Sequence, residues 1–220
     1  MLQNFTDSLE NIKNKVTSIG EGLLSANKLI LNALENCDTQ KFNDAKNFIK
    51  NISSKTDEID NEIIKVLALY TPEARDLRRV VAYMKITNEL SRACANTRSF
   101  IKGFTDVCSD VDTKTIKEYA LPMQASTVKA IKTTVSMINI DDIDEISECY
   151  NDVLIEESKT DDLYEMVEAN LHDLAKEMDE FEKFYRMLRA LRKSGKIADR
   201  ASSIANLLVY IQVGGNFHKS

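Results

Sequence analysis

The chain has no tryptophan, two prolines, six glycines and two histidines among its 220 residues. So few backbone breakers argue against a sheet protein with many tight turns and leave room for long helices. No uninterrupted apolar run approaches the roughly 20 residues that cross a bilayer as a helix. The start, Met1-Leu2-Gln3-Asn4-Phe5-Thr6-Asp7, lacks the basic stretch and apolar core of a secretory signal, so none is expected. Positive charge is not in excess: 29 Lys and Arg stand against 35 Asp and Glu, a net charge of −6. That excludes a general nucleic-acid binder, which would present a basic face. The four cysteines, Cys37, Cys94, Cys108 and Cys149, form no C-x-x-C pair. Cys94 and Cys149 fall on apolar helical positions. The four read as small reduced hydrophobes of a cytosolic protein rather than as metal or redox groups. His172 falls at a helix end and His218 in the tail, and both read as solvated.

What the chain does contain is a repeat. Ser54-Lys55-Thr56-Asp57-Glu58-Ile59 is followed 104 residues later by Ser158-Lys159-Thr160-Asp161-Asp162-Leu163. The same ungapped offset pairs Phe42 with Ile146, Leu67 with Leu171, Phe100 with Ile204 and Phe104 with Leu208. Apolar positions keep register far beyond one short match. The chain therefore reads as two copies of one helical unit, 1–106 and 107–220, the second ending in a short tail.

Periodicity divides each unit into three helices. The first runs from about Asp7 to Leu34. Asn36-Cys37-Asp38-Thr39 is a polar break, with Asp38 or Thr39 able to cap the next helix. That helix carries a three-and-four seam through Phe42, Ala45, Ile49, Ile52, Thr56, Ile59, Ile63, Val66 and Tyr70. Thr71 is expected as the next N-cap, with Pro72 in the first turn, where no donor N–H is needed. Tyr83, Ile86, Leu90, Ala93, Thr97, Phe100 and Phe104 then form the third seam, and Thr105 to Asp110 connect the copies. In the second unit a short helical piece precedes Pro122, near the start of a helix to about Ile138, and Asn139 to Asp142 turn. A helix with Ile146, Cys149, Val153, Leu163, Val167 and Leu174 follows. The last carries Met187, Ala190, Ser194, Ile197, Ala201, Ile204, Leu208 and Ile211, stopped by Gly214-Gly215. The break before it is placed between Asn170 and Lys176. The expected fold is all-α: two tandem antiparallel three-helix bundles, their apolar stripes buried against one another.

Pro72-Glu73-Ala74-Arg75-Asp76-Leu77-Arg78, followed by Met84-Lys85-Ile86, resembles the P-x-x-x-D-L-R and downstream K-I of the PhoU family. Lys159-Thr160-Asp161-Asp162-Leu163-Tyr164 is similar to that family's second-bundle helix, and Ala198-Asp199 with Ser203-Ile204 to its final helix. The resemblance extends from about Thr6 to Val213. It implies a non-enzymatic regulator that contacts the Pst phosphate transporter ATPase and a phosphate-sensing histidine kinase, holding the phosphate-starvation response off when phosphate is plentiful. It also implies a homodimer in the cytoplasm, peripheral to the membrane through its partners and not inserted in it. PhoU-like proteins also accompany Pit-type phosphate transporters, which gives the alternative role.

The family's chemistry sits in E(D)-x-x-x-D motifs on the second and third helix of each bundle. Residues i and i+4 share one helical face, so two such helices can offer four hard oxygen ligands to a cation. This sequence departs from the pattern. Bundle one reads Ser53-x-x-x-Asp57 and Ser91-x-x-x-Ala95, leaving one carboxylate of four. Bundle two reads Glu157-x-x-x-Asp161 and Gly195-x-x-x-Asp199, leaving three. Glu157, Asp161 and Asp199 are the candidate ligands for a single weakly held divalent or iron ion. Their other reading is a solvated acidic face beside a core seam.

Arg75, Arg78 and Arg79 form a local basic patch, either for an acidic partner or for ion pairs with Glu73 and Asp76. Asp141, Asp142, Asp144 and Glu145 suit the start of a helix, where the dipole favours acids, and lack the spacing of a calcium loop. No Glu-x-x-His pair, phosphate-cradling glycine loop or nucleophile beside a base is present, so no enzyme is expected.

Overall fold

The computed structural model describes residues 2–111, 113–174 and 178–214 and contains no strand among them. The helices are α1 (Leu2–Leu34), α2 (Thr39–Phe48), α3 (Ile52–Tyr70), α4 (Ala74–Thr105), α5 (Thr113–Thr115), α6 (Leu121–Met137), α7 (Ile143–Leu174) and α8 (Met178–Val213). Among the described residues no helix is long and apolar enough to cross a membrane. The tail with His218, and the side chain of His172, lie outside the described residues.

Each half contributes three long antiparallel rods: α1, α2 with α3, and α4; then α6, α7 and α8. Thr39 and Ile143 open equivalent helices, 104 residues apart, and the break expected before the last helix falls partly on residues outside those described. Phe42 and Ile146, Phe100 and Ile204, and Phe104 and Leu208 are all buried. The apolar periodicity thus points inward in both halves.

The two units share one continuous apolar core. α4 packs along α8 in the most extensive helix contact, and α1 packs on α6. The chain passes from one unit to the other near residue 106, but the core does not part there. A polar chain runs through the shared centre. Asn27 donates to Thr97 Oγ1 at 3.2 Å, Gln124 donates to Asn27 Oδ1 at 3.0 Å, and Ser194 donates to Gln124 Oε1 at 2.8 Å. All four side chains are buried, one from each of α1, α4, α6 and α8. Satisfied in this way, they fix the helices' relative register; unsatisfied, each would carry a desolvation cost. Arg200 reinforces the contact by binding Glu89 across α4 and α8 at 2.9 Å.

Several local expectations are met. Asp38 accepts from the Lys41 N–H at 3.1 Å and caps α2. Asp142 Oδ1 accepts from the N–H groups of Asp144 and Glu145 at 3.0 and 2.9 Å, so the acidic run serves a helix start. α5 leads into a wider π turn, Ile116–Ala120, immediately before Pro122 in the first turn of α6. There the Leu121 N–H reaches back to Ile116 O, and Pro122, lacking an N–H, needs no acceptor upstream.

Other expectations are corrected. The helix through Phe42 to Tyr70 is not continuous: it breaks between Phe48 and Ile52, with Asn51 left-handed at φ 56°. Thr71 does not cap α4. It closes α3 at φ 44°, and α4 begins at Ala74, so Pro72 precedes the helix. Cys37 and Cys108 are not reduced. They form a disulfide, Cα atoms 5.6 Å apart, tying the end of α1 to the segment after α4. Only the antiparallel return of α4 beside α1 brings these positions together. Cys94 remains a buried thiol, its pKa pushed up to about 12 by burial.

Candidate functional site

Glu157 and Asp161 stand one turn apart on α7, and Asp199 faces them from α8. Burial first, then the charges of Asp161 and Asp199, raise the pKa of Glu157. Burial and the charge of Asp161 raise that of Asp199, against the pull of Arg200 and Lys196. Glu157 thus feels the charge of both Asp161 and Asp199, and Asp199 feels that of Asp161. Each ionised carboxylate makes the next harder to ionise.

The fourth corner is closed to a ligand. Gly195 is buried, and a Cβ built there would meet Met123 Cε at 3.3 Å and Thr160 Oγ1 at 3.8 Å. Met123 thus fills the space that a carboxylate at position 195 would need. A small cleft of about 160 Å³ remains, lined by Met123, Asp161, Tyr164, Arg192, Lys196 and Asp199. Arg192 lies over the Tyr164 ring at 5.5 Å, and Arg192 with Lys196 brings positive charge to the cleft mouth. Among the described residues no three His, Cys, Asp or Glu side chains are grouped closely enough to hold a metal ion. As the side chains stand, the residues do not fit a closed metal cluster, and no chemistry is derived through one.

In bundle one, Ser53, Asp57 and Ala95 are exposed and Ser91 is half-buried. The remaining carboxylate pair there is Asp57 with Asp60, whose pKa is raised by burial and then by Asp57. At the 104-residue offset, position 60 corresponds to Tyr164 in the second half.

The arginines after Pro72 do not pair with Glu73 or Asp76. Arg75 donates to Gln212 of α8, and the Arg78 guanidinium lies 3.7 Å from where a Cβ on Gly214 would stand. Arg79 lines a cavity of about 260 Å³ with Glu10, Lys13, Asp76, Tyr83 and Asp141. The patch seats the end of α8 instead of lying free. Periodicity along α4 could not reach Gln212, Gly214, Glu10, Lys13 or Asp141, because they come from other parts of the chain.

Among the described residues the geometry is helical, three long rods in each half of the chain, with a carboxylate cleft between α7 and α8. Comparison with known proteins narrows the class of protein. The PhoU domain family matches residues 16–99. PhoU from Pseudomonas aeruginosa superposes with a TM-score of 0.83 at 19% identity, over 96% of this chain and 100% of that one. The phosphate transport system regulatory protein PhoU from Streptococcus pneumoniae gives 0.80 at 17% identity, over 96% and 98%. A PhoU-like phosphate regulatory protein from Shewanella oneidensis gives 0.65 at 15%, over 91% and 98%. No curated protein matches by sequence. The chain matches the PhoU domain over residues 16–99 and shares the fold of these PhoU structures along nearly all its length.

Proposed function

We propose that the protein regulates phosphate transport and the phosphate-starvation response through protein contacts, not catalysis. The observation that carries this reading is the full-length superposition on a phosphate transport system regulatory protein, joined to the PhoU domain match. The partners we infer are the Pst transporter ATPase and a sensor histidine kinase, reached from the cytoplasmic face by a homodimer. The near-equivalent units of the fold support a scaffold with two related faces. Glu157, Asp161 and Asp199 would have to draw closer together to hold the one weakly bound cation that the family resemblance implies, whose charge would offset their repulsion.

Cross-linking a tagged chain in phosphate-replete cells, followed by mass spectrometry, tests the partners. Recovery of the transporter ATPase supports the proposal. Recovery of a Pit-type carrier in its place assigns the protein to that transporter and overturns the kinase-linked role.

A further inference from the structure

We infer that the groove between the C-terminal end of α4 and the N-terminal half of α8 binds a polyphosphorylated anion, because Lys102, Arg186, Arg189 and Lys193 converge there from two helices around a floor of small residues. The inference is independent of the regulatory role proposed above.

The groove has a structural cause. Gly103 on α4 lies against Ala190 on α8 so closely that a Cβ on Gly103 would meet the Ala190 Cβ at 3.3 Å. Two small residues let the backbones approach, and the long side chains on either side stand as walls. Arg186, Arg189 and Lys193, spaced three and four apart, share one face of α8. Lys102 faces them from α4, and Ser99 and Asp106 complete a space of about 280 Å³. Four cations and one carboxylate give the lining a net charge of +3.

This concentration of charge runs against the chain. Residues 183–196 hold six basic residues and no acidic one, while the other 23 of the 29 basic residues stand among 35 acidic ones. An ordinary solvated helix face interleaves the two signs. Of the four cations in the groove, Arg186 is spent on neighbours, bound by Glu182 and attracted by Asp110 and Asp106. Among the described residues no carboxylate pairs with Lys102, Arg189 or Lys193. Arg189 lies 6.0 Å from the centroid of the Tyr185 ring, which steadies the guanidinium while leaving its N–H fork to donate.

The ligand class follows from charge and size. One carboxylate would leave most of the positive charge uncompensated. Two or more linked phosphate groups match a net charge of +3, accept from guanidinium forks and ammonium groups alike, and fit the volume. A soluble di- or triphosphate and the phosphate headgroup of an anionic lipid offer the same oxygens.

Calorimetry on the full chain at constant ionic strength, with tripolyphosphate, pyrophosphate, orthophosphate and citrate, tests the site. Co-sedimentation with phosphatidylcholine vesicles, with and without phosphatidic acid, runs beside it. Tripolyphosphate is expected to bind, more tightly than orthophosphate or citrate. Arg189→Glu with Lys193→Glu should weaken it by at least about tenfold, or about 1.4 kcal/mol. Lys102→Glu, on the opposite helix, should do the same and keeps the test intact if the α8 variant misfolds. Lys46→Glu on α2, an equal change of charge elsewhere, should leave binding unchanged. Binding confined to phosphatidic acid vesicles, whose headgroup carries a single phosphate, would overturn the polyphosphate reading and assign the groove to a lipid surface. Absence of binding in both arms, citrate binding as tightly as tripolyphosphate, or an equal loss in Lys46→Glu overturns the inference.

Discussion

Gly22 of α1 lies directly against the carbonyl of Phe48, so that a Cβ on residue 22 would sit 2.6 Å from that oxygen. This contact marks the break between α2 and α3. The helix end leaves carbonyls without intrahelical partners, and Arg98 of α4 donates to the next one, Ile49 O, at 2.7 Å. Gly22→Ala should therefore force α1 away from the break and lower stability by about 1–3 kcal/mol. Arg98→Met should lose roughly 1–2 kcal/mol by leaving the Ile49 carbonyl unsatisfied. Denaturant unfolding of both variants measures this; a neutral Gly22→Ala would show that the break tolerates a wider helix spacing.

Gln124→Leu should cost about 1–3 kcal/mol, because it removes the side-chain donor to Asn27 Oδ1 and one buried partner of Ser194 in the shared core. Since one core serves both units, unfolding should stay a single transition in calorimetry and circular dichroism. Two separated transitions would show that the units fold independently.

The disulfide predicts a thiol count. The denatured, unreduced chain should react with alkylating reagent at Cys94 and Cys149 alone, and at all four cysteines after reduction. Cys37→Ser should lower stability by about 2–5 kcal/mol relative to the oxidised protein, since the bond closes a long loop. Four reactive thiols before reduction would contradict the bond.

Asp199 and Glu157 hold protons more tightly in the folded chain than in the unfolded one. Their contribution to stability is therefore greatest below the ordinary carboxylate value of about 4 and falls as pH rises through their raised values. Asp199→Asn removes one charge and part of the repulsion on Glu157. Its thermal midpoint at pH 7 should exceed that of the parent, and its stability should change less across this acidic window. The parent should gain stability from a divalent cation, at most about one ion per chain, and Asp161→Ala or Asp199→Ala should abolish that gain. A lower midpoint for Asp199→Asn, or a cation effect that persists in it, would show that repulsion does not govern the cleft.

Much of the fold was legible because helical seams are local. The register linking Phe42 to Ile146 and Phe104 to Leu208 located both units, and Asp38 marked a cap. The break at residues 49–51 was not legible, since no Gly or Pro lies there and the residues that meet it, Gly22 and Arg98, are on other helices. The Cys37–Cys108 bond was hidden for the same reason. At the candidate site, the i, i+4 spacing of Glu157 and Asp161 was readable, and the electrostatic influence of Asp199 on Glu157 comes from the packing of α8 on α7. Met123 filling the space at Gly195, and Arg192 stacked on Tyr164, depend on how three helices meet. The basic run from Lys183 to Lys196 was visible in the sequence, but its convergence with Lys102 needed the fold.

The most direct measurement of the regulatory role is a phosphate-starvation reporter in a strain lacking this gene, grown with abundant phosphate and compared with a complemented strain. Derepression of the reporter, reversed by the complementing copy, is the predicted result. A reporter that stays repressed, with phosphate uptake unchanged, would contradict it.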